Sequence, residues 1–146
     1  MVVWSKAIWK WDDSAKELII QLLGWDKTWW FDLDSVYCVQ GKYYVIEFLK
    51  CDSPYPSITP YTSHPNRYRF NKMKFISLWN ITKKLDWELY LINYEMNEDW
   101  THWDRFKLMR VISLDEEDWL ETEDQNLNFE WMQKRWKDLN NRSLNQ

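Results

Sequence analysis

The sequence predicts an α/β fold, a mixed β-sheet with helices packed against it. Three observations lead there. The runs WWFDLDSVYCV and KYYVIEFLK flank Gln40-Gly41, which reads as a β-hairpin with a type I′ turn. A stretch with helical spacing follows over about residues 66–85. It leads into WELYLINY, residues 87–94, a nearly continuous apolar run of the kind found in buried parallel strands. A helical crossover between a hairpin and a buried strand implies an α/β sandwich. With 146 residues, 45% of them hydrophobic, the chain can bury the core of a single domain over residues 1–146.

The elements follow in order. Residues 1–11 carry Trp4, Trp9 and Trp11 and read as a short strand or an arm packed on the core. Ala15, Leu18, Ile19, Leu22 and Leu23 repeat at helical spacing, and Gly24 ends that helix. Ser14-Ala15-Lys16-Glu17 has the form of a capping box, so Glu17 either reaches back to the first amide or contributes to a metal site. After the hairpin, all four prolines fall between Cys51 and Pro65, in a stiff extended loop. Phe75, Leu78, Ile81 and Leu85 then form the apolar stripe of the crossover helix. Residues 105–114 alternate as a further strand, expected near an edge. Residues 115–126 carry seven acidic side chains and read as a solvated loop or short helix. Phe129, Met132, Trp136 and Leu139 mark a closing amphipathic helix whose last residues fray.

The net charge of −4 does not advertise a nucleic-acid binder, but its distribution is uneven. Residues 41–84 carry a net +6, residues 85–146 a net −8 and residues 1–40 a net −2. Arg67, Arg69, Lys72 and Lys74 crowd the first half of the crossover helix, where a phosphate would meet both the dipole and the side chains. His64 sits at that entry, as a phosphate contact or as a capping and loop-packing residue. No run approaches the ~20 apolar residues of a membrane span. The start, MVVWSKAIWKWDD, lacks the apolar run of a secretory signal. Cys38 and Cys51 are too far apart in the hairpin register to pair and read as buried reduced thiols, so a cytoplasmic setting is expected. Two His and two Cys at no ligand spacing exclude a zinc pattern, and no glycine-rich phosphate loop exists.

Counting outward from Gln40-Gly41 pairs Val39 with Lys42, Cys38 with Tyr43, Val36 with Val45 and Asp34 with Glu47. Two carboxylates then face each other inside apolar strands, roughly 5 Å apart at Cβ. Bare anions that close repel each other and lose hydration, and a divalent cation would compensate. Asp32, on the same face, is a further ligand candidate or a solvated strand-end residue.

Leu33-Asp34, then Ile46-Glu47 thirteen positions on, then Lys50, resembles the PD-(D/E)XK nuclease superfamily. The layout is closest to Holliday-junction-resolvase-like and other small restriction-like nucleases, and the resemblance covers about residues 14–94. It implies a three-layer α/β/α restriction-endonuclease-like sandwich with a central mixed sheet. It also implies that Asp34 and Glu47, with the Phe48 carbonyl, hold Mg²⁺ (or Mn²⁺), and that a lysine positions the attacking water. Residues 95–146 add a strand, the acidic loop and the closing helix. The family places its lysine two residues after the glutamate, which here is Leu49. Lys50, one further along, points to the opposite face unless a bulge intervenes, and otherwise the role passes to Lys72 or Lys74. The expected function is metal-dependent endonucleolytic hydrolysis, with DNA favoured over RNA. The surplus of tryptophans offers surface for a homodimer, and no membrane partner is expected. The alternative is a catalytically inactive nuclease-fold module that binds nucleic acid or a protein.

Overall fold

The computed structural model describes residues 14–27, 33–51, 57–67, 72–95, 104–117 and 119–145. The arm over 1–11 lies outside them. The chain divides into two compact units, Met1–Asp32 and Leu33–Gln146. In the first, α1 spans Ser14–Leu23. It ends where Gly24 (φ 56°) and Trp25 (φ 70°) turn left-handed, with Gly24 N–H donating to Gln21 O at 3.1 Å. Glu17 is an exposed residue of its first turn.

The second unit is α/β. Its five strands are β1 (Ser35–Val39), β2 (Lys42–Lys50), β3 (Glu88–Tyr94), β4 (Arg105–Asp115) and β5 (Trp119–Asn128). They form one mixed sheet in sequence order, with β2 and β3 parallel and the other neighbours antiparallel. A 3-10 turn, Pro65–Arg67, precedes the crossover helix α2 (Lys72–Lys84), and α3 (Phe129–Leu144) closes the unit. The tight turn between β1 and β2 has Gln40 at φ 51° and Gly41 at φ 78°, both left-handed as a type I′ turn requires.

Alternation assigns the two faces of the sheet. Ile46, Ile92, Phe106 and Leu127 point to one side, where Met132 of α3 joins them and Trp136 and Leu139 pack alongside. Val45, Glu47, Leu89, Leu91, Asn93, Lys107 and Met109 belong to the other side. There α2 contacts β3 and β4 and buries Phe75, Leu78 and Thr82. Leu91, Ile92 and Met109 are fully buried, and each such side chain contributes roughly 1.5–3 kcal/mol. No described helix is long and apolar enough to cross a membrane.

Three expectations change. In the acidic segment, Asp115 ends β4 and Glu116 and Glu117 lie in the turn; the greater part, from Trp119 on, is strand β5 and not a loop or short helix. Its register with β4 runs from Asp115↔Trp119 to Arg105↔Asn128, and its acids sit on a sheet edge, where charge discourages pairing with other chains. β4 lies between β3 and β5, one strand in from the edge, near an edge as expected. The closing helix runs on to Leu144, with Asn145 as its C-cap. Cys38 and Cys51 are half-buried rather than buried.

Candidate active site

The hairpin register runs as counted, Val39↔Lys42, Cys38↔Tyr43, Val36↔Val45, with Ser35↔Ile46 as its last pair. Asp34 stands just beyond the ladder and is tied to β2 by two bonds of its own. Its N–H donates to Glu47 Oε1 at 3.2 Å, and its Oδ2 accepts from Phe48 N–H at 2.8 Å. The two acids thus meet through side chain and backbone, with Asp34 exposed and Glu47 fully buried.

The third member of the cluster comes from α2. Lys74 Nζ lies 2.8 Å from Glu47 Oε2. That is a close ion pair, yet the buried Oε2 meets no donor along a hydrogen-bond direction. Burial, the largest influence, pushes the Glu47 carboxyl above its usual range; Lys74 pulls it down, and the Asp34 charge pushes it up again.

The other lysines lie elsewhere. β2 stays in unbroken register with β3 from Tyr44↔Glu88 to Lys50↔Tyr94, so no bulge turns Lys50 back, and it is exposed on the opposite face from Glu47. Lys72 is two residues from Lys74, and positions two apart on a helix diverge. Its Nζ donates to Glu116 O at 3.3 Å and lies 5.8 Å from the Trp119 ring centroid.

His64 contacts both its own loop and β5. Its Nδ1 accepts from Asn66 N–H at 3.1 Å, which puts the neutral ring's proton on Nε2, 2.7 Å from Thr122 Oγ1. Thr122 in turn bonds Asp124, whose Oδ2 is 3.6 Å from His64 Nε2. Arg67 ends the 3-10 turn. Its side chain, like Asp32 and Arg69, lies outside the described residues.

Asn93 and Lys107 also belong to this side of the sheet and escaped the sequence reading. Asn93 Nδ2 donates to Pro60 O at 3.2 Å and Ser63 O at 2.8 Å, and Lys107 Nζ donates to Ser63 O at 3.2 Å. They clamp the proline-rich loop to β3 and β4. The available signal was a polar residue inside an apolar strand run.

Among the described residues no group of three or more His, Cys, Asp or Glu side chains is placed to hold a metal ion. The donor set at the hairpin is two carboxylates, one with a buried oxygen lacking an aligned donor. That set fits Mg²⁺, which binds through one or two carboxylates and keeps several waters. It also fits the ammonium already there. The chain matches no protein-family model, no curated protein and no solved structure.

Proposed function

We propose that this chain is a Mg²⁺- or Mn²⁺-dependent endonuclease hydrolysing phosphodiester bonds, with DNA the favoured substrate, on a three-layer α/β/α sandwich of the restriction-endonuclease type. The observation that carries this reading is the meeting of Asp34, Glu47 and Lys74 at the start of β1, on β2 and on α2. Two acids and a lysine are the set that PD-(D/E)XK chemistry uses, here with the lysine supplied by the crossover helix. Asp34 and Glu47 would hold the metal, whose contribution is to activate water and to stabilise charge on the phosphate. Asp34 is fixed in place by Phe48 N–H, so its carboxylate is preorganised. Lys74 offers a cationic donor beside Glu47, suited to holding a water or a phosphate oxygen.

A cleavage screen on linear, branched and single-stranded DNA and on RNA, with Mg²⁺ or Mn²⁺ and with EDTA, tests the reading. Asp34→Asn and Glu47→Gln should each abolish cleavage in a folded protein; cleavage retained in both would overturn it.

One observation favours a second reading, a nuclease-fold module without catalysis that binds nucleic acid or a protein. Lys74 already neutralises Glu47, which is what a metal would otherwise do. Mn²⁺ titration separates the two. Under the first reading Mn²⁺ raises the melting temperature and Asp34→Ala removes the rise; under the second neither protein responds.

A further inference from the structure

On the sheet face that α3 covers, the helix leaves a cavity of about 200 Å³ against β2, β3 and β4. The fully buried Ile92 lies at its floor, and Tyr44, Tyr90 and Trp136 bring aromatic rings into its lining. Arg135, Asp138 and Arg142 of α3 also line it, and all three are exposed, which places them at the mouth. Arg142 is paired with Asp138 at 3.7 Å across that mouth, a weak, exposed contact in which each charge offsets the other. Arg135 has no ion-pair partner among the described residues. Arg135 also lines an adjoining groove with Arg110, Glu123 and Asp124, where Arg110 is already held by Glu88 at 3.5 Å and Glu123 at 3.0 Å. Among the described residues, the cation at this opening without an ion-pair partner is therefore Arg135.

Volume, lining and charge together define the occupant. Drug-sized sites run to roughly 300–1,000 Å³, so this one takes a fragment of one or two fused rings. Aromatic walls favour a flat ring through offset and edge contacts. A guanidinium at the mouth takes a carboxylate or phosphate through paired N–H donors. We propose that the cavity between α3 and the sheet is a binding site for a small planar aromatic anion, ring inward and anionic group on Arg135. The site lies on the opposite face from Asp34, Glu47 and Lys74 and stands independently of the nuclease reading.

The test is calorimetric titration of the full chain with 2-naphthoate, its neutral counterpart 2-naphthalenemethanol and uridine 5′-monophosphate. Expected is saturable one-to-one binding of 2-naphthoate with a Kd below ~1 mM. The neutral alcohol should bind at least about fivefold more weakly. Arg135→Ala, an exposed position, should keep the parent melting temperature, weaken 2-naphthoate about fivefold or more and leave the alcohol unchanged. Leu108→Trp, which fills the cavity, should abolish binding of both. Competition by the nucleotide would identify a base with its phosphate as the source of this chemistry; its absence would assign the site to ring carboxylates. No saturable binding of 2-naphthoate, or equal binding by parent and Arg135→Ala, would overturn the proposal.

Discussion

Removing the Lys74 ammonium should make stability strongly pH-dependent. In Lys74→Met the stem is retained and the charge is lost, leaving Glu47 fully buried with Asp34 N–H as its remaining donor in the cluster. Breaking a buried pair by deleting one partner costs roughly 3–5 kcal/mol. Glu47 has an escape, because it can bind a proton. From an ordinary glutamate value near 4.3, protonation costs at most about 3.7 kcal/mol at pH 7 and about 1 kcal/mol at pH 5. The Lys74 side chain is 26% exposed, so water reaches the vacated space and trims the upper figure. The expected cost of Lys74→Met is therefore about 3 kcal/mol at pH 7, some 10 °C in melting temperature, falling to about 1 kcal/mol at pH 5. The sign follows from linkage. The folded carboxyl lies above its unfolded value, so the stabilisation from binding its proton is present below the unfolded pKa and is lost as pH rises through the folded one. Urea denaturation followed by tryptophan fluorescence at both pH values measures this. In a Glu47→Gln background, Lys74→Met should cost about 0.5 kcal/mol or less. A cost below about 1 kcal/mol at pH 7, or a deficit unchanged at pH 5, would refute the reasoning.

Other perturbations test the elements that present the site. Leu49→Lys, two residues along from Glu47 on the same face, should recover about half of the Lys74→Met deficit at pH 7 in urea melts, since its ammonium can reach the same carboxylate. Asn93→Leu severs the bonds to Pro60 O and Ser63 O and should cost about 2–3 kcal/mol, with faster amide exchange over residues 57–64 than in α3. Gly41→Ala places a Cβ where nothing lies within 4 Å, so its cost of about 1 kcal/mol in urea melts should be purely that of the left-handed backbone. Asn128 Oδ1 caps α3 by accepting from Trp131 N–H at 2.9 Å, and Asn128→Ala should cost about 1 kcal/mol, read as a lower melting temperature by far-ultraviolet circular dichroism.

Local rules made the hairpin legible. Gln40-Gly41 fixes the turn, the turn fixes the register, and the register carries Asp34 to Glu47. The apolar run of β3 likewise announced a buried parallel strand. β5 hid because its acids face solvent along a sheet edge, where charge replaces the alternation that normally marks a strand; only its ends, at Trp119, Leu120 and Leu127, are buried. Lys74 was legible only as one of two candidates on the crossover helix, with Lys72, for the lysine role. Its separation from Lys72 in role depends on the rotation of α2 about its axis, which side-chain packing of Phe75 and Leu78 sets. Asn93 and Lys107 act on a loop some thirty and forty residues away, which no local pattern encodes.

Strand parity explains why the cation of this cluster comes from α2. Glu47 is buried on one face of β2, and Lys50, an odd number of residues away, belongs to the other. The two parallel strands β2 and β3 need a crossover, and the helix that makes it lies over one face of the pair. Here that face is the one to which Glu47 points, as its contact with Lys74 shows. A lysine from β2 itself would therefore have to sit at an even position counted from Glu47, and the crossover is another source. Leu49 occupies the even position, so the crossover supplies the charge. A lysine carried by a helix approaches the carboxylate from above the sheet rather than from beside it along the strand. It can therefore screen Glu47 from solvent while Asp34, held by Phe48 N–H, remains exposed at the open side of the pair. The result is an asymmetry, one acid sealed under a lysine and one open to water.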